Sequence, residues 1–446
     1  MYDLSRYIAR AGARPLPRAV VERAKLHLVD TFAAMISGTR LLPGKKAVSF
    51  VESLGDRPEA GVVGTRLVTS ALHAALANGM CAHADETDDT HPPSITHPGC
   101  SVVAAALAIG ERDGLSGASL LRAIVLGYDI CSRLLLALRP MPFVHSGHQS
   151  CAFGQVFGAA AAAGALLQLN AREVRYLLSY TAEQAAGLYT MFRDKDHIEK
   201  SYVMGGMPAQ HGIAAALMVK HGFTGVEDVF SGPRDFFYAF APDGDKHELT
   251  RGLGRDYEIM RAAIKRWPVG GPIQGPVHVM RELIDQHGLT ADLIDNVIVR
   301  IPDKELETVS NREMPDISLQ HVMAVMLLDG HLSFASTHDA DRMRDPRVLR
   351  LRKRIKAVGD PALTDHLRRW RAVIEITLKD GRSLKHQCMA AKGSFENPLT
   401  AQEETEKATG LVEPVLGKRR AKSLIDALWK FEQIKNVRSL RKLYMR

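Results

Sequence analysis

A change of period, later reversed, constrains this chain more than any other feature. Up to about residue 265 the apolar residues recur at helical spacing. Val20, Val21, Ala24, Leu26, Val29 and Ala33 stand at roughly helical spacing over 18–37, and Ala159-Ala160-Ala161-Ala162-Ala163 leads into Leu167. Near residue 295 the period drops to two. Asn296-Val297-Ile298-Val299-Arg300-Ile301 alternates and stops at Pro302. Val373-Ile374-Glu375-Ile376-Thr377-Leu378 alternates into the turn signal Lys379-Asp380-Gly381, with a second strand expected over 383–389. Helical patterns over 274–287 and 318–328 lie between the strands, and from Thr400 the helical period returns. The expectation is a mainly α protein with an inserted α+β domain. The helical domain takes 1–265 and 396–446, and the smaller α+β domain takes 266–395. A length of 446 residues suits two domains better than one core.

Several function classes are disfavoured by composition. The net charge is +8, with basic clusters at Lys418-Arg419-Arg420 and from Arg438 to Arg446. Such a balance serves nucleic acid, a membrane surface or anionic small substrates. Aromatics are only 6% and no zinc-finger spacing occurs, which argues against nucleic acid. The apolar stretches are Ala-rich and broken by Gly, so no membrane span is expected. Five widely spaced cysteines make no disulfide framework, and the N-terminus lacks a signal-peptide core, so a cytoplasmic location is expected. Neither a Gly-x-Gly-x-x-Gly turn, a Walker A loop nor a Gly-x-Ser-x-Gly elbow is present.

The segment from Cys81 to Gly99 is the richest in chemistry. Thr69 or Ser70 is expected to cap a helix that runs to about Asp89 and is ended by His91-Pro92-Pro93. Asp85, Glu86, Asp88 and Asp89 would then crowd its last turn, where the macrodipole opposes negative charge and Asp85 and Asp89 repel at i,i+4. A carboxylate raised in this way is a better general base near neutral pH. The plain alternative is a solvated acidic helix end. A metal site of His83, Asp85, His91 and His97 is a further alternative, but a His-x-x-x-His spacing is missing. His97, His148 and Lys200 each precede a helical pattern, and helix N-termini favour carboxylates. Cys151 near His148 lacks an orienting third group for thiol chemistry.

Ala82-His83-Ala84-Asp85 through Asp88-Asp89-Thr90 to Thr96-His97-Pro98-Gly99 resembles the signature of the MmgE/PrpD family. His148 with Gly154-Gln155-Val156-Phe157-Gly158 resembles its second block, and Lys200 with Ala209-Gln210-His211-Gly212 its third. Gly232-Pro233-Arg234-Asp235, Met326-Leu327-Leu328-Asp329-Gly330 and Asn397-Pro398-Leu399 extend the likeness over most of the chain. That family includes 2-methylcitrate dehydratase, cis-aconitate decarboxylase and iminodisuccinate epimerase.

The resemblance implies a large helical domain, a smaller α+β lid domain, a homodimer, and a small polycarboxylate substrate handled without metal or organic cofactor. It implies Asp85, His97, His148 and Lys200 as catalytic residues and Thr90 as a substrate contact. At two further substrate-contact positions the chain departs from the decarboxylases: Gln274 stands for a histidine and His321 for a tyrosine. The expected reaction is proton abstraction α to a carboxylate by Asp85 or His97, with dehydration of a 2-methylcitrate-like substrate placed first. Decarboxylation or epimerisation by the same step is the alternative, and a catalytically silent carboxylate- or partner-binding paralogue is the reading of another class.

Overall fold

The computed structural model describes residues 1–446, and the chain divides into two compact units. The first comprises Met1–Ala84, Asp88–Ala262 and Ala401–Arg446; the second comprises Asp85–Thr87 and Ala263–Thr400. The expected joints lay at 265/266 and 395/396, a few residues away. Nothing in the local sequence marks the three-residue excursion Asp85–Thr87.

The first unit is built of helices. Arg18–Gly38, Ala71–Ala82, Pro98–Asp113, Gly117–Leu138, Ser150–Leu166 and Met207–Lys220 form its body, with the C-terminal helices Ala401–Leu416 and Lys418–Trp429. Ser150–Leu166 is sealed along nearly its whole length, which its run of small side chains permits. Two glycines set the closest approach in this unit. A Cβ on Gly79 would stand 2.5 Å from the carbonyl oxygen of Gly205, and one on Gly205 would stand 2.2 Å from that of Gly79. Only glycine therefore lets the end of Ala71–Ala82 rest on the π-turn Tyr202–Gly206, which precedes Met207–Lys220. No helix is long and apolar enough to cross a membrane.

One local expectation is corrected. The helix that starts at Ala71, capped by Ser70, ends at Ala82 and not near Asp89. Residues 83–97 form an irregular buried loop with one tight turn at Pro92–Ser94 and a bridge between His91 and Thr96. The four acids thus escape the helix dipole altogether. Their side chains find tertiary partners that helical geometry would have denied them.

The second unit holds a four-stranded sheet in the order Ile355–Asp360, Ile294–Pro302, Ala372–Leu378, Ser383–Cys388. The first pair is parallel and the other two are antiparallel. Val297, Val299 and Ile301 are buried, as are Ala372, Ile374 and Ile376. They pack with Val277, Met280 and Leu283 of Gln274–His287 and with Val322, Met323 and Met326 of Leu319–Asp329. Each fully buried Val, Ile or Met contributes roughly 1.5–3 kcal/mol of transfer free energy.

Candidate active site

Four acids of one loop meet four separate sets of partners. Asp88, in the helical unit, is sealed and lies between two imidazoles. Its Oδ2 is 2.8 Å from His83 Nδ1, and its Oδ1 is 3.3 Å from His97 Nδ1. The two rings meet edge to face at 4.9 Å, and the His197 ring stands 5.4 Å from that of His83. His197 adopts φ +60°, a left-handed conformation that a non-glycine residue holds only when its surroundings fix it. His83 and Asp88 have no exposed side-chain surface, whereas the His97 side chain is 16% exposed. The cluster therefore has one open edge, at His97.

His97 is positioned from two sides. It is the residue before the helix Pro98–Asp113, and its backbone N–H donates to Gln155 Oε1 at 3.2 Å. The Gln155 amide nitrogen in turn donates to the Met204 carbonyl of the π-turn and to Ser101 Oγ at 3.3 Å.

Asp89 faces the opposite way into the helical core. It accepts from the Tyr128 hydroxyl and from the backbone N–H of Gly99 at 3.0 Å, and pairs with His27 Nδ1 at 2.6 Å. Burial lowers the His27 pKa despite Asp89, and raises that of Tyr128 well above the phenol range. Asp89 anchors the loop; no open edge leads to it.

The other two acids belong to the α+β unit. Glu86 pairs with Lys265 at 3.0 Å, both sealed. Asp85 accepts from the Thr87 N–H at 3.0 Å and the Thr87 hydroxyl at 2.5 Å, and lies 2.9 Å from His338 Nε2.

The remaining sequence candidates fall as follows. Thr90 donates to the Thr96 carbonyl at 3.0 Å and closes the loop's turn. His148 is partly exposed, stacks on Phe143 at 4.8 Å and meets Phe153 and Phe240 edge-on; burial lowers its pKa, which favours neutral imidazole. Its turn is tied to the His97 turn by Ser150, which donates to the Ile95 carbonyl at 2.6 Å. Lys200 is the third residue of a continuous helical run from Ile198 to Lys220, so it lies inside the helix and does not precede it. Its charge reaches the Cys151 thiol, which burial pushes up to about 12. A thiol so protected is a poor nucleophile at neutral pH. His91 is bonded to Ser94 at 2.7 Å and lies 3.3 Å from Glu258, a core pair far from ligand duty.

Gln274 and His321 sit in the α+β unit, both buried. The Gln274 amide donates to the carbonyls of Trp267 at 2.8 Å and Val269 at 2.9 Å, and accepts from the Trp267 N–H at 3.3 Å. Neither ring nitrogen of His321 has a hydrogen-bond partner. Burial, with Arg352 and Arg342 nearby, lowers its pKa to about 4.

The pairing of His83 and His97 through Asp88, and the pairing of His338 with Asp85, were not foreseen. No spacing rule reaches them, because the partners come from separate elements. The three groups His83, Asp88 and His97 could also hold a metal ion, since their ligand atoms lie within 4.8 Å of one another. The nitrogens that face Asp88 stand at hydrogen-bonding distance or slightly beyond it, so a metal would have to replace these contacts.

Two family models match the chain: the MmgE/PrpD N-terminal domain over residues 2–249 and the MmgE/PrpD C-terminal domain over residues 267–432. Among curated relatives, cis-aconitate decarboxylase of Mus musculus is 24% identical over 450 residues, covering 96% of this chain and 90% of its own length. The Homo sapiens enzyme of the same name is 25% identical, over 94% of this chain and 88% of its own length. The cis-aconitate decarboxylase-like protein oryM of Aspergillus oryzae is 24% identical, over 98% of this chain and 95% of its own length.

Proposed function

The chain belongs to the MmgE/PrpD family, and from that premise we propose that it is a lyase acting on a small di- or tricarboxylate by proton transfer at the carbon next to a carboxylate. The observation that carries the reading is the Asp88 carboxylate set between His83 and His97, with His97 alone at the open edge. Asp88, 3.3 Å from His97 Nδ1, favours a proton on that nitrogen and steadies the imidazolium that forms when the ring takes up a second proton. Of the two bases expected from sequence, His97 is therefore preferred. Both Asp85 oxygens are already engaged by Thr87 and His338.

In the proposed reaction Lys200 and the helix starts after His97 and Gln149 hold substrate carboxylates and the developing negative charge. His148, neutral on its aromatic bed, is the hydrogen-bonding partner or proton carrier. Thr90 keeps the loop closed around these groups. Decarboxylation breaks the C–C bond, releases CO2 and leaves an electron pair that takes a proton from the His97 imidazolium. Dehydration uses the neutral ring to remove the α-proton and needs an acid to carry off hydroxide. The relatives support the first outcome, and the resemblance from sequence placed the second first. A homodimer is part of the same proposal, read by light scattering.

The test is incubation of the pure protein with cis-aconitate, 2-methylcitrate and related acids in D2O, following CO2 release, double-bond absorbance and deuterium uptake. Deuterium at the α-carbon is expected with at least one acid. No exchange with any of them would favour the catalytically silent paralogue. Turnover is expected to persist after exhaustive chelation; loss that one divalent metal restores would assign His83, Asp88 and His97 to that metal instead.

A further inference from the structure

Within the α+β unit, residues 342–356 are dense in cations, and these fall into two sets. Arg342, Arg344 and Arg347 are each paired with an aspartate, namely Asp329, Asp341 and Asp345. Arg352, Lys353 and Lys356 are not: their side chains make neither an ion pair nor a hydrogen bond. All three line one cavity of about 560 Å3, and no acid is among its lining residues. Lys353 and Lys356 are exposed, whereas Arg352 is half-buried. Burial pushes the Arg352 pKa down, and no carboxylate acts in the other direction. The neutral polar part of the lining is held in place from within. Gln320, itself buried, donates to Ser310 Oγ at 2.9 Å and accepts from the Asn311 N–H at 2.8 Å. Asn311 turns through φ +50° at this point, so the loop of Ser310 and Asn311 is fixed beside the cavity.

We propose that this cavity is a binding site for a small polyanion, recognised by Arg352, Lys353 and Lys356 through its phosphate groups or carboxylates. A charge drawn partly out of water is costly unless an opposite charge meets it. The protein supplies none to Arg352, although it pairs three arginines of the same segment. An anion from solution completes the arrangement. The guanidinium offers a planar fork that matches either a phosphate or a carboxylate, and the two lysines add point charges that need no fixed geometry. The Asn311 side chain and the Ser310 hydroxyl stand in the same lining as neutral hydrogen-bonding groups. The volume falls within the range of pockets that hold small molecules. The reaction proposed above uses none of these residues, so the site stands or falls independently of it.

The experiment is calorimetry on the full chain at neutral pH and low salt, with inorganic pyrophosphate and tricarballylate, an unreactive tricarboxylate, as probes. The wild type is expected to bind at least one of them. Arg352→Gln is expected to weaken that binding about tenfold, and Lys353→Gln with Lys356→Gln by about tenfold or more, since each removes a cation at close range. Arg350→Gln is the control: it removes the same charge from an exposed residue outside the lining, and is expected to leave affinity within about twofold. Pyrophosphate binding lost in the variants assigns the site to phosphate groups; tricarballylate binding alone lost in them assigns it to carboxylates. Four results overturn the site: no binding of either probe, binding that the lysine pair and Arg352→Gln leave intact, an Arg350→Gln loss as large as that of Arg352→Gln, or binding that vanishes only in Lys200→Ala. Should Arg352→Gln not fold, the exposed lysine pair decides, with Arg350→Gln as its control.

Discussion

The helical unit and the α+β unit treat their candidate side chains in opposite ways. Around Asp88 the titratable groups are paired with one another and one ring, His97, keeps an open edge. At Gln274 and His321 the groups are shut in: one amide is spent on backbone, and one ring is kept neutral by burial and by the nearby Arg352 and Arg342. The contrast separates two tasks. Proton transfer needs a group whose charge can change while its partners wait, which is what a carboxylate between two imidazoles offers. A saturated amide and an imidazole without hydrogen-bond partners supply shape and rigidity, and on the proposed reading they would reach a substrate only through what they support.

The largest effect that tests this contrast is loss of turnover. His97→Ala and Asp88→Asn are expected to lower kcat by about 10²–10⁴-fold, the usual range for a general base and its orienting partner. Lys200→Ala is expected to cost on the order of 100-fold, as a group that stabilises charge in the transition state. Single-turnover kinetics with whichever carboxylate proves to be the substrate would check this. Rates within threefold of wild type in all three would place the chemistry elsewhere.

Next comes stability, through the neighbour of Asp88. Asp89→Asn removes a charged acceptor from Tyr128, His27 and the Gly99 N–H in the core, and breaking such a network costs roughly 3 kcal/mol or more. Asp88→Asn, beside an open edge, is expected to cost less than half of that while abolishing more activity. Urea unfolding of both variants gives the comparison. Equal losses would mean that the two aspartates are one structural network rather than a worker and an anchor.

The sequence made some of this legible and hid the rest for identifiable reasons. The strands Ile294–Pro302 and Ala372–Leu378 announce themselves because Val, Ile and Leu alternate with polar residues. Ile355–Asp360 does not, since Ile-Lys-Ala-Val-Gly-Asp lies on a half-buried edge with no clean alternation. The helix boundary at Ala82 was invisible because Asp85, Glu86, Asp88 and Asp89 read locally as an acidic helix end. Their true environment is set by Lys265, His338, His97 and His27, spread over most of the chain. His97, His148 and Lys200 could be picked by their places near helix starts, a local feature. His83 and His338 had no such mark, and only the fold pairs them with a carboxylate.

A smaller effect comes from pH. The His338 pKa is raised in the folded protein to about 9 from an unfolded value near 6.5. A raised cation stabilises fully below the unfolded value and loses that contribution as pH climbs through the folded one. The fold is therefore expected to lose on the order of 2 kcal/mol between about pH 7 and 10 through this residue. His338→Gln is expected to flatten that part of the curve. Unfolding midpoints at pH 7 and pH 10 for both proteins supply the check, and parallel curves would remove His338 from the account.

The smallest expected effect concerns substrate choice at the two sealed positions. Restoring the decarboxylase residues by Gln274→His with His321→Tyr ought to rebuild specificity if these side chains touched substrate. Their surroundings argue otherwise. A neutral imidazole has one donor and one acceptor, so at position 274 it cannot serve two carbonyls and an N–H together, and one backbone group is left unpaired at a cost of about 1–3 kcal/mol. At position 321 a phenol is larger than the ring it replaces and brings a hydroxyl into a place where the present ring nitrogens find no partner. The double variant is thus expected to melt earlier than wild type, while the ratio of kcat/KM for cis-aconitate over 2-methylcitrate moves by less than about threefold. A shift of tenfold or more toward cis-aconitate, with stability preserved, would reverse the assignment. It would show that the α+β unit reads the substrate directly and that the division of labour between the two units is drawn in the wrong place.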